Sequence, residues 1–154
     1  MTETSISARR TIDASTADVF HVLTNPANHV DLDGSGFVRS LERGDRIEKS
    51  GQQFRMNMDG PHMGGEYQTD NIVTGFDQNH LIAWRTAPAG QEPPGWEWVW
   101  QLKPTGSDTS EVTVTYDWSA VTDQALLAKL SFPLVPQEGL ETSLGNLAAA
   151  VRQA

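Results

Sequence analysis

The amino-acid sequence predicts an α+β domain in which a curved antiparallel sheet of about six to seven strands wraps around a long C-terminal helix. From residue 37 onward, short runs of alternating apolar and polar residues are separated by turns rich in Gly, Asn and Asp. No connection between these runs is long enough for the crossover that parallel strands require, so the strands are expected to be antiparallel. Near the end of the chain the spacing becomes helical, with one apolar stripe formed by Leu140, Leu144, Leu147 and Val151.

The N-terminal elements are predicted to be a strand at residues 6–12 and a short helix. Ser15 is placed to cap this helix, and Asp18, three residues later, completes a capping box. Asn25-Pro26 ends the helix, because a residue before proline disfavours helical dihedrals. Residues 28–36 are polar and rich in turn-forming residues, so a loop is predicted there.

The rest of the chain is predicted to be a meander of strands followed by helices. A second helix is predicted at residues 123–132, interrupted by Pro133 and Pro136, before the long C-terminal helix. Residues 60–65 and the proline-rich residues 87–95 are predicted to be irregular. A twisted sheet of this length curls and can enclose more space than one helix fills. The predicted strands lie at residues 37–41, 52–58, 66–76, 80–86, 96–103 and 111–119.

The sequence places its bulky aromatic and sulfur-containing residues on strand faces. Alternation puts Trp96, Trp98 and Trp100 on a single face, and Trp84 and Trp118 belong to neighbouring strands. Such a row either fills a core or lines a hollow one. The same choice applies to an earlier strand, where Phe54, Met56 and Met58 share a face, because methionine suits both irregular pockets and ordinary cores.

Composition excludes several classes of function. The formal net charge of −9 argues against nucleic-acid binding and against docking on an anionic membrane surface. The absence of cysteine excludes disulfides, thiolate nucleophiles and Cys-ligated metal sites. No run of apolar residues is long enough for a membrane-spanning helix, and residues 1–5 lack the features of a signal peptide. A cytoplasmic protein without membrane insertion is therefore expected.

The candidate catalytic residues are His62 and Asp59, which lie in or beside a Gly-rich loop. Either residue could act as a base if it lies in an apolar cavity. Tyr67 or Tyr116 is a candidate hydroxyl donor. Asn71 and Arg85 are further polar candidates. The alternative is that the loop residues are solvated and the tyrosines bond to backbone.

No metal or cofactor is expected. His21, His29, His62 and His80, with Asp31 and Asp33, form no recognisable ligand spacing. Residues 33–36 lack the lysine and the following helix of a phosphate-binding loop, and they are more typical of Asx turns. The sequence also contains no GxSxG nucleophile motif.

Short motifs along the chain, and above all their order, resemble one known family. In the N-terminal part they are the strand end and helix start at residues 12–20, the helix end Leu23-Thr24-Asn25-Pro26 and the loop Asp33-Gly34-Ser35-Gly36. Further on they are residues 71–76 with Ile82-Ala83-Trp84, and Phe132-Pro133 with residues 143–147. Through these motifs residues 6–151 resemble the polyketide cyclase/dehydrase-type members of the START-like (SRPBCC, helix-grip) superfamily.

The resemblance implies a single START-like domain over residues 1–154 with a cavity between sheet and C-terminal helix. It implies binding of a small hydrophobic ligand, such as a polyketide, lipid or aromatic metabolite. One alternative is a cyclase or dehydratase in which a cavity His or Asp base, His62 or Asp59, removes a proton next to a carbonyl while Tyr67 or Tyr116 stabilises the enolate. The other alternative is a protein-interaction module of the chaperone-activator type. Residues 26–37 and 60–65 are the expected entrance. The expected lining is Phe37, Phe54, Met56, Met58, Tyr67, Asn71, Trp84, Trp98, Tyr116, Leu130 and Leu144.

Overall fold

A computed structural model describes residues 4–129 and 133–153 of the chain. Its strands form one seven-stranded sheet in the order β1-β7-β6-β5-β4-β3-β2, and every neighbouring pair is antiparallel. The predicted antiparallel meander is therefore confirmed. The strands are β1 Ser5–Ile12, β2 Val38–Arg43, β3 Gln53–Gly60, β4 Gly65–Asp77, β5 Leu81–Pro88, β6 Glu97–Gly106 and β7 Thr109–Asp117.

The helices lie against one face of this sheet. The longest, at the C-terminal end, packs against β1, β7 and the two helices that follow β1. This arrangement confirms the predicted α+β helix-grip architecture, in which the sheet curves around the last helix. The helices are α1 Thr16–Leu23, α2 His29–Leu32, α3 Gln124–Lys129 and α4 Gln137–Gln153, with single 3-10 turns at Pro26–Asn28 and Pro61–Met63.

The segment after α1 corrects one prediction. Ser15 does cap α1, since its side chain accepts a hydrogen bond from the backbone N–H of Asp18 at 3.2 Å. The loop predicted at residues 28–36 is wrong at its start, where α2 spans His29–Leu32. Pro26 opens a 3-10 turn with its fixed φ, and α2 follows directly because burial of Leu32 against the C-terminal helix stabilises it.

Helix α4 buries the apolar stripe that its sequence predicts. Leu140, Leu144 and Leu147 are each at most 2% exposed, and Val151 is 9% exposed. A helix of this kind is held mainly by tertiary packing of its apolar face, because its polar face adds little stability in water. The stripe therefore fixes α4 against β1 and β7, which lie side by side at one edge of the sheet.

Irregularities in pairing bend the sheet. The register shifts twice between β2 and β3, and once between Val73 and Gly75 on β4. A bulge increases local twist and bends the strand that carries it. At Gly75 a Cβ atom would lie 2.8 Å from the Leu81 side chain, so glycine permits the close approach of β5. The bent sheet stands away from the helices at its centre, and the candidate site lies in that space.

Candidate functional site

A cavity of about 160 Å³ lies between the concave face of the sheet and the helices. Strands β2 to β7 all contribute to its walls, with α1, α2 and residues 134–135 opposite. An apolar cavity of about 150 Å³ is large enough to hold a benzene ring. The volume is therefore that of one aromatic ring, and it is smaller than the roughly 300 Å³ at which pockets for drug-sized ligands begin.

One wall of the cavity is a row of aromatic side chains on three adjacent strands. Trp84 on β5 is paired with Trp98 on β6, which is in turn paired with Tyr116 on β7. The rings of Trp98 and Tyr116 are stacked, with centroids 4.3 Å apart and an angle of 10° between their planes. The row forms because residues that are directly paired across neighbouring strands point to the same face of the sheet.

His29 lies against this wall and is buried. Its ring is stacked on Trp84, with centroids 4.9 Å apart, and meets the edge of Phe54 at 5.3 Å. Its Nε2 lies 2.8 Å from the backbone oxygen of Leu23, and because a carbonyl only accepts, Nε2 carries the proton and donates it. Burial lowers the pKa of His29 to about 4, so the ring is neutral at pH 7.

The rim of the cavity carries a second histidine. His62 Nε2 and the Tyr67 hydroxyl are in hydrogen-bond contact at 3.2 Å, and the His62 ring packs on Phe37 with centroids 4.8 Å apart. Burial lowers the pKa of His62 and raises the pKa of Tyr67 to about 12. Met63 is 38% exposed and also lines the cavity, so the cavity reaches the surface beside the Pro61–Met63 turn.

The other side of the rim is a loop tied to α4. The carboxylate of Asp33 accepts hydrogen bonds from the backbone N–H groups of Ser35, Gly36 and Val38 and from the Ser35 hydroxyl. The N–H of Gly34 donates to the Ser143 hydroxyl at 2.8 Å. A Cβ atom at Gly34 would collide with the backbone oxygen of Gly139, so only glycine allows this loop to dock on α4.

A buried polar patch interrupts the apolar surface on β4 and β5. The Thr86 hydroxyl donates to the Asn71 side-chain oxygen at 2.7 Å, and Asn71 Nδ2 lies 3.4 Å from both the Thr69 hydroxyl and the backbone oxygen of Phe54. All three polar side chains line the cavity and are at most 9% exposed. Because these side chains hydrogen-bond to one another, burying their polar atoms costs little free energy.

The structure brings most of the residues expected to line a pocket into this one cavity. Leu144 is instead packed in the hydrophobic core, as part of the buried stripe of α4, and Leu130 lies outside the described residues. Tyr116 is a member of the cavity wall, and burial raises its pKa well above the usual value. The expected residues that do line the cavity are Phe37, Phe54, Met56, Met58, Tyr67, Asn71, Trp84, Trp98 and Tyr116.

Two of the polar candidates lie elsewhere. Asp59 follows Met58 on β3, and alternation turns it to the outer face, where it lines a wider and more polar groove with Arg39 and Glu66. Arg85 likewise points outward from β5, and its Nε lies 3.6 Å from Glu97. Of the two candidate bases, only His62 therefore reaches the cavity.

Sequence reasoning missed the cavity residues His29, Thr69 and Thr86. The signal for the threonines was present, because both alternate in phase with Asn71 or Trp84 on their strands. His29 carried no such signal, because it lies in the segment that was expected to be a loop. Trp100 also lines the cavity, and its buried indole N–H has no acceptor among the residues that the structure describes.

Within residues 4–129 and 133–153, no three His, Asp or Glu side chains are grouped to hold a metal ion. Among the described residues, no helix combines the length and the apolar character that crossing a membrane requires.

Comparison with known proteins identifies relatives over nearly the whole chain. A model of the family described as "Polyketide cyclase / dehydrase and lipid transport" matches residues 3–152. The Uncharacterized protein Rv0088 of Mycobacterium tuberculosis (strain ATCC 25618 / H37Rv) is 28% identical over 109 residues, which are 71% of this chain and 45% of that protein. The chain thus spans less than half the length of this relative.

Solved structures share the fold at low sequence identity. The Zhui aromatase/cyclase from Streptomyces sp. R1128 has a TM-score of 0.69 at 15% identity, covering 97% of this chain and 93% of its own. A protein from Arthrobacter aurescens has a TM-score of 0.69 at 14% identity, covering 98% of this chain and 87% of its own. At such identities the likeness shows the fold alone.

Proposed function

Because the chain belongs to the polyketide cyclase/dehydrase and lipid-transport family, we propose that it binds a small, mostly apolar molecule in the cavity between its sheet and helices. The observation that carries the proposal is the cavity itself, of about 160 Å³ and walled by stacked aromatic rings. Removing apolar ligand surface from water contributes about 25 cal/mol per Å², and aromatic contacts add to this. Binding therefore comes chiefly from burial.

The volume of the cavity limits the size of the ligand. One aromatic ring fits the space as it stands, whereas a fatty acyl chain or a fused polyketide exceeds it. Either would require residues 26–37 or 60–65 to move away from the rim. A single-ring aromatic molecule is therefore the proposed ligand, in preference to a long lipid.

A titration of two matched variants with toluene tests this proposal. Met58→Trp places a larger side chain in the cavity, whereas Asn57→Trp places the same side chain on the outer face of the same strand. We expect calorimetry to show saturable toluene binding by the wild type and by Asn57→Trp. We expect the affinity of Met58→Trp to be at least about tenfold lower, because the added ring competes with the ligand for space.

The titration is interpreted by comparing Met58→Trp with the control variant Asn57→Trp. Circular dichroism and thermal melting establish that both variants are folded before they are compared. Equal affinities for Met58→Trp and Asn57→Trp would contradict the cavity as the binding site. No toluene binding by the wild type would contradict the proposal as a whole.

A cyclase-type reaction is the second candidate, favoured by the family and by the contact between His62 and Tyr67. This pair supplies a base and a hydroxyl donor at the rim, which are the groups that enolate formation requires. Asp59 cannot share this role from the outer face of β3. The interaction-module alternative has less support, since Met63 is the one large apolar side chain recorded as exposed in the described part of the chain.

A further inference from the structure

The imidazole of His29 presents an unused hydrogen-bond acceptor in the cavity wall. Its Nε2–H is committed to the Leu23 carbonyl at 2.8 Å, which fixes the tautomer and leaves a lone pair on Nδ1. No described residue hydrogen-bonds to Nδ1. The ring cannot easily turn away, because Trp84 covers its face at 4.9 Å and Phe54 meets it at 5.3 Å.

The charges around the cavity select against ionic ligands. Its titratable lining groups are His29, Asp33, His62, Tyr67 and Tyr116, and no Lys or Arg is among the described lining residues. An anion would therefore enter without a cationic partner, and burying an unpaired charge is costly. A cation would find only Asp33, whose two oxygens already accept four hydrogen bonds.

We propose that His29 is a ligand-binding residue whose Nδ1 accepts a hydrogen bond from a hydroxyl group, so that the cavity takes an uncharged phenol. This inference rests on the proposed binding function and names the ligand class for the same cavity. The lowered pKa of His29 supports it, because a neutral imidazole retains the lone pair that a protonated ring would lack. A phenol supplies both the aromatic ring that fits and the donor that Nδ1 requires.

The test compares phenol with toluene, which has the same shape and lacks the donor. Affinities of both for the wild type and for His29→Phe are measured by calorimetry at pH 7. The phenylalanine ring retains the stacking against Trp84 but has no acceptor. We expect the preference for phenol over toluene to fall about threefold to tenfold in His29→Phe, the loss of one hydrogen bond, with toluene affinity nearly unchanged.

A second measurement needs no variant. In wild-type protein carrying ¹⁵N-labelled histidine, phenol should shift the Nδ1 resonance of His29 upfield as the lone pair accepts a proton donor. Toluene, bound in the same place, should leave that resonance nearly unchanged. An Nδ1 resonance whose chemical shift does not change when phenol binds would overturn the role of His29 as a hydrogen-bond acceptor for the ligand.

Charged probes test the rest of the inference. Benzoate and tetramethylammonium should each bind at least about tenfold more weakly than phenol at pH 7, because neither finds a free counter-charge in the cavity. Either ion binding as tightly as phenol would overturn the selection for an uncharged ligand. If neither toluene nor phenol binds, the proposed function fails; if toluene binds and phenol gains nothing from His29, only this inference fails.

Discussion

Acidification from pH 7 to pH 4 is expected to lower the free energy of unfolding by roughly 3 kcal/mol through His29 alone. Burial lowers the pKa of this histidine from 6.5 to about 4 in the folded protein. Below pH 6.5 this histidine therefore binds a proton in the unfolded chain, whereas the buried ring of the folded protein stays neutral until the pH approaches 4. The bound proton stabilises the unfolded state relative to the folded state. The loss begins as the pH falls through 6.5 and levels off below about pH 4, where the folded protein also binds the proton. Above pH 6.5 the ring is neutral in both states and contributes no pH dependence.

The measurement is chemical denaturation of the wild type and of His29→Gln at several pH values between 7 and 4. Glutamine retains a donor for the Leu23 carbonyl and does not titrate. His62 shares the direction of shift and remains in both proteins, so the difference between the two slopes isolates His29. Parallel slopes would contradict the expectation. NMR titration of the wild type adds an independent check, since His29 should remain neutral at pH 5.

Replacing Leu147 by alanine is expected to lower the free energy of unfolding by about 2–5 kcal/mol. Leu147 is fully buried at the centre of the α4 stripe, between Leu144 and Val151. The truncation removes apolar surface from the core and leaves a void that the surrounding side chains fill only in part. Guanidinium denaturation followed by circular dichroism measures the loss.

An exposed residue of the same helix provides the control. Glu141 lies on the solvent face of α4, and Glu141→Ala should change stability by no more than about 0.5 kcal/mol. Similar losses for the two variants would indicate that α4 does not dock through its apolar stripe. The pair thus tests the packing that holds the helix against the sheet.

The sheet and the terminal helix could be predicted because each carries its own periodicity. Trp98, Trp100 and Leu102 recur at every second residue along β6, and Leu140, Leu144 and Leu147 recur at helical spacing along α4. Helix α2 could not be predicted, because four residues are too few to show a period. It forms because Pro26 begins the 3-10 turn that precedes it and because Leu32 is buried in the hydrophobic core.

The candidate site could be predicted only in part, because its shape depends on contacts between residues that are far apart in the sequence. Alternation places Met58 and Trp98 on inward faces, but it does not show how far the sheet stands from the helices. The contact between Gly34 and Gly139 joins residues far apart in sequence, and only the tertiary structure reveals it. The stacking of His29 on Trp84 depends on the unpredicted helix and was hidden for that reason.

The most direct measurement is a crystal structure of the protein soaked with 4-bromophenol, with bromine located by anomalous scattering. We expect a bromine peak inside the cavity, bordered by Trp84, Trp98 and Tyr116, with the hydroxyl group at His29 Nδ1. A map in which side chains fill the interior and bromine occupies only surface positions would contradict ligand binding in the cavity.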